Sequence, residues 1–163
     1  MGASAYLDTC LVSGLARGDI AADELLALRE LLSRFERGEI SLLCSEVVGD
    51  ELAKISADYR GPHLQQLKVF EAIPRAKPGG VTRLSPMGVS GLNPYRRLWD
   101  DLVALLPDKP DAEHVFVAST NRVNRLVTLD EKTMLRHRAA VQALSGVELM
   151  TPKEFLHAAS VGS

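Results

Sequence analysis

Four acids, Asp8, Glu51, Asp111 and Asp130, stand where the residue pattern gathers carboxylates instead of scattering them over a surface. Asp8 and Asp130 each follow directly on a short apolar run, Asp111 opens a helical stretch, and Glu51 falls on the apolar arc of another. Taken singly, each aspartate has a structural explanation, because Asp8 and Asp130 can cap helices and Asp111 can share a first-turn arrangement with Asp108. Capping does not explain acids at two strand ends together with one on the apolar side of a helix. A carboxylate on a core-facing stripe is costly unless it is neutralised, hydrogen-bonded or metal-bound. Carboxylates brought together repel by about 4 kcal/mol per pair at ~4 Å and an effective dielectric near 20. A divalent cation relieves that repulsion, and an all-oxygen ligand set suits Mg2+ or Mn2+. A zinc site of Cys and His is not indicated. Cys10 and Cys44 lack paired spacing and read as free thiols, and His63, His114, His137 and His157 are scattered and read as surface or packing residues.

The elements that must position these acids follow from periodicity. Ser4 to Leu7 is a short apolar run ending at Asp8-Thr9, and Cys10 to Ala16 reads as a helix stopped by Gly18. Ala21 to Glu36 has a helical period, and Ile40 to Cys44 has the length of a buried strand, with Ser45 placed to cap the next helix. On that helix Val47, Val48, Leu52 and Ile55 share one face with Glu51, whereas Glu46 and Asp50 lie on the polar side. Pro74 to Pro94 holds four prolines and four glycines and reads as a long loop. Tyr95 to Leu106 is helical, and Asp108-Lys109-Pro110-Asp111 opens a further helix to about Asn121. Arg125 to Leu129 is the most strand-like stretch and ends at Asp130. Thr133 to Leu144 reads as a helix, Val147 to Met150 as a strand, and Thr151-Pro152 as the start of a terminal helix. Short apolar strands alternating with helices predict an α/β fold with a mostly parallel sheet covered on both faces. Ligands in such sheets bind at the carboxyl ends of the strands.

A chain of 163 residues with 46% hydrophobic and 25% charged residues is expected to form one globular domain over 1–163. No apolar run approaches the roughly 20 residues that span a bilayer, and the basic-then-apolar pattern of a secretory leader is missing, so the expectation is a cytoplasmic protein without a membrane partner. The net charge of −2 conceals an asymmetry: Arg60, Lys68, Arg75, Lys77, Arg83, Arg96 and Arg97 lie between Tyr59 and Trp99 against one acid, Glu71. A basic segment on an otherwise acidic chain is what a polyanion-binding lip beside a metal-filled acidic centre would look like. It is equally what a solvated surface would look like.

With these residues in place, the chain resembles the PIN-domain nucleases. The resemblance rests on Tyr6-Leu7-Asp8-Thr9, on Ser45 to Glu51-Leu52, on Asp111-Ala112 and on Leu126-Val127-Thr128-Leu129-Asp130, and it runs nearly end to end. It implies a PIN-like, three-layer α/β/α fold and divalent-metal-dependent cleavage of RNA. It also implies self-association, often as a homodimer, and, for many members, a role as the toxin of a toxin–antitoxin pair. Asp8, Glu51, Asp111 and Asp130 take the family's acidic, metal-binding and catalytic positions, with Thr128 as a polar helper, and the seven basic residues would hold the RNA backbone. A haloacid-dehalogenase-like phosphatase would also place Asp after its first strand, but its second Asp, two residues on, is here Cys10. The other alternative is a non-catalytic PIN-like module that binds RNA or protein through the same surface.

Overall fold

The computed structural model describes residues 2–55, 61–76 and 94–161, the side chains of Val47, Glu51, Pro62 and Pro94 excepted. Its centre is β1 (Ser4–Leu7), in which Ala5, Tyr6 and Leu7 are all buried. Successive strand residues point to opposite faces, so three consecutive buried residues require cover on both sides. That cover comes from α1 (Cys10–Arg17), α2 (Ala22–Glu36), α3 (Val47–Lys54), α4 (Leu64–Ala72), α5 (Pro94–Leu105), α6 (Lys109–Thr120), α7 (Arg138–Ser145) and α8 (Pro152–Val161). The remaining strands are β2 (Ser41–Ser45), β3 (Arg75–Ala76), β4 (Arg125–Val127) and β5 (Glu148–Met150).

All strand pairs are parallel, and the order across the sheet is β3-β2-β1-β4-β5. Two apolar clusters lie on its two sides, which gives the three-layer α/β/α arrangement. Ala5, Leu7, Leu42 and Val127 pack with Leu28, Leu31 and Leu32 of α2, Phe70 of α4 and Phe155 of α8. Tyr6, Leu126 and Leu149 point the other way and pack with Leu102 of α5, Val115 and Phe116 of α6 and Val141 of α7. The alternation along β1 therefore sends Tyr6 toward α6. Gly18, at φ 68°, closes α1 in the left-handed conformation, and its N–H bonds back to Gly14 and Leu15.

From β1 the chain builds outward to β2 and β3, then returns to the other side of β1 as β4 and β5. The direction of winding reverses between β1 and β4. In open parallel sheets the crevice beyond the carboxyl ends at that reversal is where ligands bind. Asp8 and Thr128 are the residues immediately after these two strands, and the ladder continues into them: Asp8 N–H donates to Val127 O at 3.0 Å and Thr128 N–H to Met150 O at 2.9 Å.

Several boundaries depart from the periodicity. Ser45 is the last residue of β2, paired with Ala76 of β3, and not the cap of α3. The N-cap position belongs to Glu46 and carries no side-chain cap bond. The loop expected from Pro74 begins with β3, while residues 77–93 lie outside the described residues. The helix expected from Thr133 starts as turns and a short 3-10 segment, Leu135–His137, before α7 proper. No described helix is long and apolar enough to cross a membrane.

Candidate metal centre

Asp8 is delivered to the crevice by the end of β1 and is buried, with 3% of its surface exposed. A buried carboxylate must be hydrogen-bonded, and both its oxygens have polar neighbours. Thr128 Oγ1 donates to Asp8 Oδ2 at 2.7 Å. Near Oδ1 stand Thr9 Oγ1 at 3.4 Å, the Cys10 backbone N–H at 3.4 Å and His114 Nε2 at 3.3 Å. His114 is itself buried, and its Nδ1 lies 2.9 Å from the Tyr6 hydroxyl. Burial raises the Tyr6 phenol far above its ordinary range, so the hydroxyl keeps its proton.

Asp130 follows β4 and turns the chain. Its Oδ1 accepts from Thr133 N–H at 2.9 Å, its C=O from Leu135 N–H at 2.8 Å, and its own N–H donates to Thr128 Oγ1 at 3.1 Å. The capping explanation is therefore realised for Oδ1 of Asp130. Asp111 lies in the first turn of α6, a helix that precedes β4 and opens beside the carboxyl ends of the strands. No side-chain cap bond comes from Asp108, so first-turn capping does not account for Asp111. Its Oδ2 lies 2.5 Å from Thr133 Oγ1, and Asp130 Oδ2 lies 2.7 Å from the same atom. One hydroxyl carries one hydrogen. It can donate to a single carboxylate, so both short contacts are favourable only if a carboxyl is protonated or a cation draws the two oxygens in. Consistently, the Asp111 carboxyl is raised above its ordinary value, chiefly by burial, with the Thr133 hydrogen bond opposing and the charges of Asp8, Asp130 and Asp108 adding to the rise.

Three of the four expected acids thus converge, linked through Thr128 and Thr133. Glu51 is in α3; Val48 and Leu52 of that helix are buried and Asp50 is exposed, which reproduces the expected faces, but the Glu51 side chain lies outside the described residues. Among the described residues, no three His, Cys, Asp or Glu side chains form a ready-made metal cage. The donor chemistry still fits a hard divalent cation: oxygen donors, one carboxylate fully buried, and one carboxyl raised in part by the charges of the other two. Beside Asp130 opens a cleft of about 450 Å³, whose wall includes Cys10, Ile20, Leu129, Glu131 and Thr151.

The basic residues divide. Arg60, Lys77 and Arg83 lie outside the described residues. Lys68 is exposed on α4. Arg96 and Arg97 are exposed on α5 and face Asp100 at 3.7 Å and Asp101 at 3.9 Å, loose surface pairs that a phosphate can displace at little cost. Arg75 is turned inward. Its guanidinium donates to Phe70 O and Ile73 O, both at 3.0 Å, and lies against Cys44 Sγ, so it closes the end of α4 and is not part of an outward-facing lip.

Spacing alone does not single out Thr133, His114 or Tyr6. Thr133 stands three residues after Asp130, the interval of a capping contact, and His114 three after Asp111, on the same side of α6. Those intervals are the signals the sequence offers for them. Comparison of the chain with protein-family models and with curated protein sequences gives no match.

Proposed function

We propose that the chain is a divalent-metal-dependent ribonuclease of the PIN kind, hydrolysing RNA phosphodiester bonds at the crevice between β1 and β4. The observation that carries this reading is the convergence of Asp8, Asp111 and Asp130 through the Thr128 and Thr133 hydroxyls at the reversal point of the sheet. Asp8, Asp111 and Asp130 would hold Mg2+ or Mn2+, with Glu51 as the fourth acid. When bound, the cation supplies an activated water and stabilisation of the leaving oxygen. The protein's own groups do the positioning. Thr128 holds Asp8 Oδ2, and the Thr133 backbone holds Asp130 Oδ1, so the orientation of both carboxylates is fixed by the chain itself. Arg96 and Arg97 would contact phosphates without reading bases. Self-association and an antitoxin protein are the partners this reading brings with it.

The test is cleavage of an end-labelled single-stranded RNA by the full chain with Mn2+ and with excess chelator. Cleavage that needs the metal and is lost in Asp8→Asn supports the reading. RNA binding without cleavage by a folded, metal-loaded wild type would leave the non-catalytic module instead.

A further inference from the structure

The catalytic reading uses Asp8 but not the buried pair behind it. Burying an imidazole and a phenol side by side, on different elements and 108 residues apart, is costly unless each satisfies the other. We propose that His114 is a positioning residue for Asp8. Held by Tyr6 with its proton on Nε2, it donates to Asp8 Oδ1 while Thr128 donates to Oδ2, and the two bonds together fix the plane of the carboxylate around which the candidate metal centre is built. The inference rests on the metal reading given above.

The hydrogen inventory assigns the tautomer. An ionised carboxylate only accepts, so the ring nitrogen facing Asp8 Oδ1 at 3.3 Å, Nε2, is the one that carries the proton. His114 Nδ1 is then bare and accepts from the Tyr6 hydroxyl at 2.9 Å. The ring proton sits on Nε2, facing two acceptors, Asp8 Oδ1 and Thr9 Oγ1, each at 3.3 Å. Sharing one N–H between two acceptors explains why both distances are long. Thr9, accepting from the ring, is free to give its own hydrogen to Asp8 Oδ1 at 3.4 Å. The opposite tautomer would aim a bare nitrogen at the carboxylate. Tyr6 reaches α6 because it is the one residue of the buried β1 triplet that points to that face, and α6 brings Asp111 and His114 to the crevice together. Orienting partners of metal-binding side chains are worth about 10–100-fold in metal affinity when removed.

The experiment uses the full chain, first without metal. Nitrogen-15 labelling of the four histidines, with the His114 signals assigned by their loss in His114→Gln, reports which ring nitrogen carries the proton. Mn2+ affinity is then measured by calorimetry on the wild type, Tyr6→Phe, His114→Ala and His114→Gln. The expected result is a proton on Nε2 and a bare Nδ1 in the wild type, and affinity weaker by about tenfold in His114→Ala. Tyr6→Phe should show a smaller loss together with a shift of the ring toward the other tautomer, and His114→Gln, whose amide nitrogen stands where Nε2 does, should recover most of the affinity. A purely packing histidine would lower stability in these variants and leave Mn2+ affinity alone. A bare Nε2 in the wild type, or variants that bind Mn2+ as the wild type does, would overturn the proposal. Absence of Mn2+ binding by the wild type itself would instead overturn the metal reading, and this inference with it. If His114→Ala does not fold, Tyr6→Phe and the ring signals decide the matter in the same way.

Discussion

Asp111→Asn should make the metal-free protein more stable, although it removes a charged group from a hydrogen-bonded site. Asp111 and Asp130 approach the same hydroxyl at 2.5 and 2.7 Å, so their nearest oxygens are at most about 5 Å apart. Two full charges at ~5 Å repel by about 3 kcal/mol at an effective dielectric of 20. Asp111 is half-buried, and solvent and salt screen part of this, leaving on the order of 1 kcal/mol. Hydrogen bonding adds in the same direction. The amide introduced by Asp111→Asn can donate to Thr133 Oγ1, which frees the single hydroxyl hydrogen for Asp130 and satisfies both contacts at once. A gain of about 1 kcal/mol corresponds to roughly 2–4 °C in the melting temperature of a chain this size.

The pH dependence carries its own sign. The Asp111 carboxyl is raised in the folded state, so the folded protein holds that proton to higher pH than the unfolded chain does. The associated stability is present at low pH and is lost as pH climbs from the ordinary value of 3.8 through the raised one. The advantage of Asp111→Asn should therefore be small near pH 4 and widen above it. Urea or thermal unfolding in chelator at several pH values measures this. Lower metal-free stability of Asp111→Asn at neutral pH would refute the like-charge account of the site.

Glu51→Gln should abolish RNA cleavage while leaving the fold intact, whereas Glu46→Gln and Asp50→Asn, on the polar side of α3, should do little; full activity in folded Glu51→Gln would remove Glu51 from the site. Arg75→Ala should cost about 1–2 kcal/mol through the loss of its bonds to Phe70 O and Ile73 O and leave the salt dependence of RNA binding unchanged, as urea unfolding and binding titrations would read out. Arg97→Ala should do the reverse, lowering the salt slope by about one if it contacts one phosphate, with stability unchanged.

The acids at strand ends were legible because the end of an apolar run is a local signal, and the parallel sheet followed from the alternation of runs and helices. The order of the strands was not, since nothing in a short run says which neighbour it takes. β3 has two residues, too few to show any period, and its pairing with Ser45 is what extends β2 past the expected cap. Arg75 was counted with its basic neighbours because charge is visible in sequence and direction is not. Thr133 and His114 belong to the site through contacts with Asp111, Asp130 and Asp8 that span up to 106 residues for the His114–Asp8 pair, and such contacts leave only the weak interval signals noted above. The turn at Asp130 displaced the start of α7 because that carboxylate and its carbonyl both accept bonds from the residues that would have begun it.

The measurement closest to the central claim is a Mn2+ titration of the metal-free full chain, wild type beside Asp8→Asn, followed by calorimetry at neutral pH. The account predicts saturable binding to the wild type that is lost or weakened at least tenfold in Asp8→Asn, with the fold retained. Equal binding by the two proteins, or no saturable binding to the wild type at millimolar Mn2+, would contradict it.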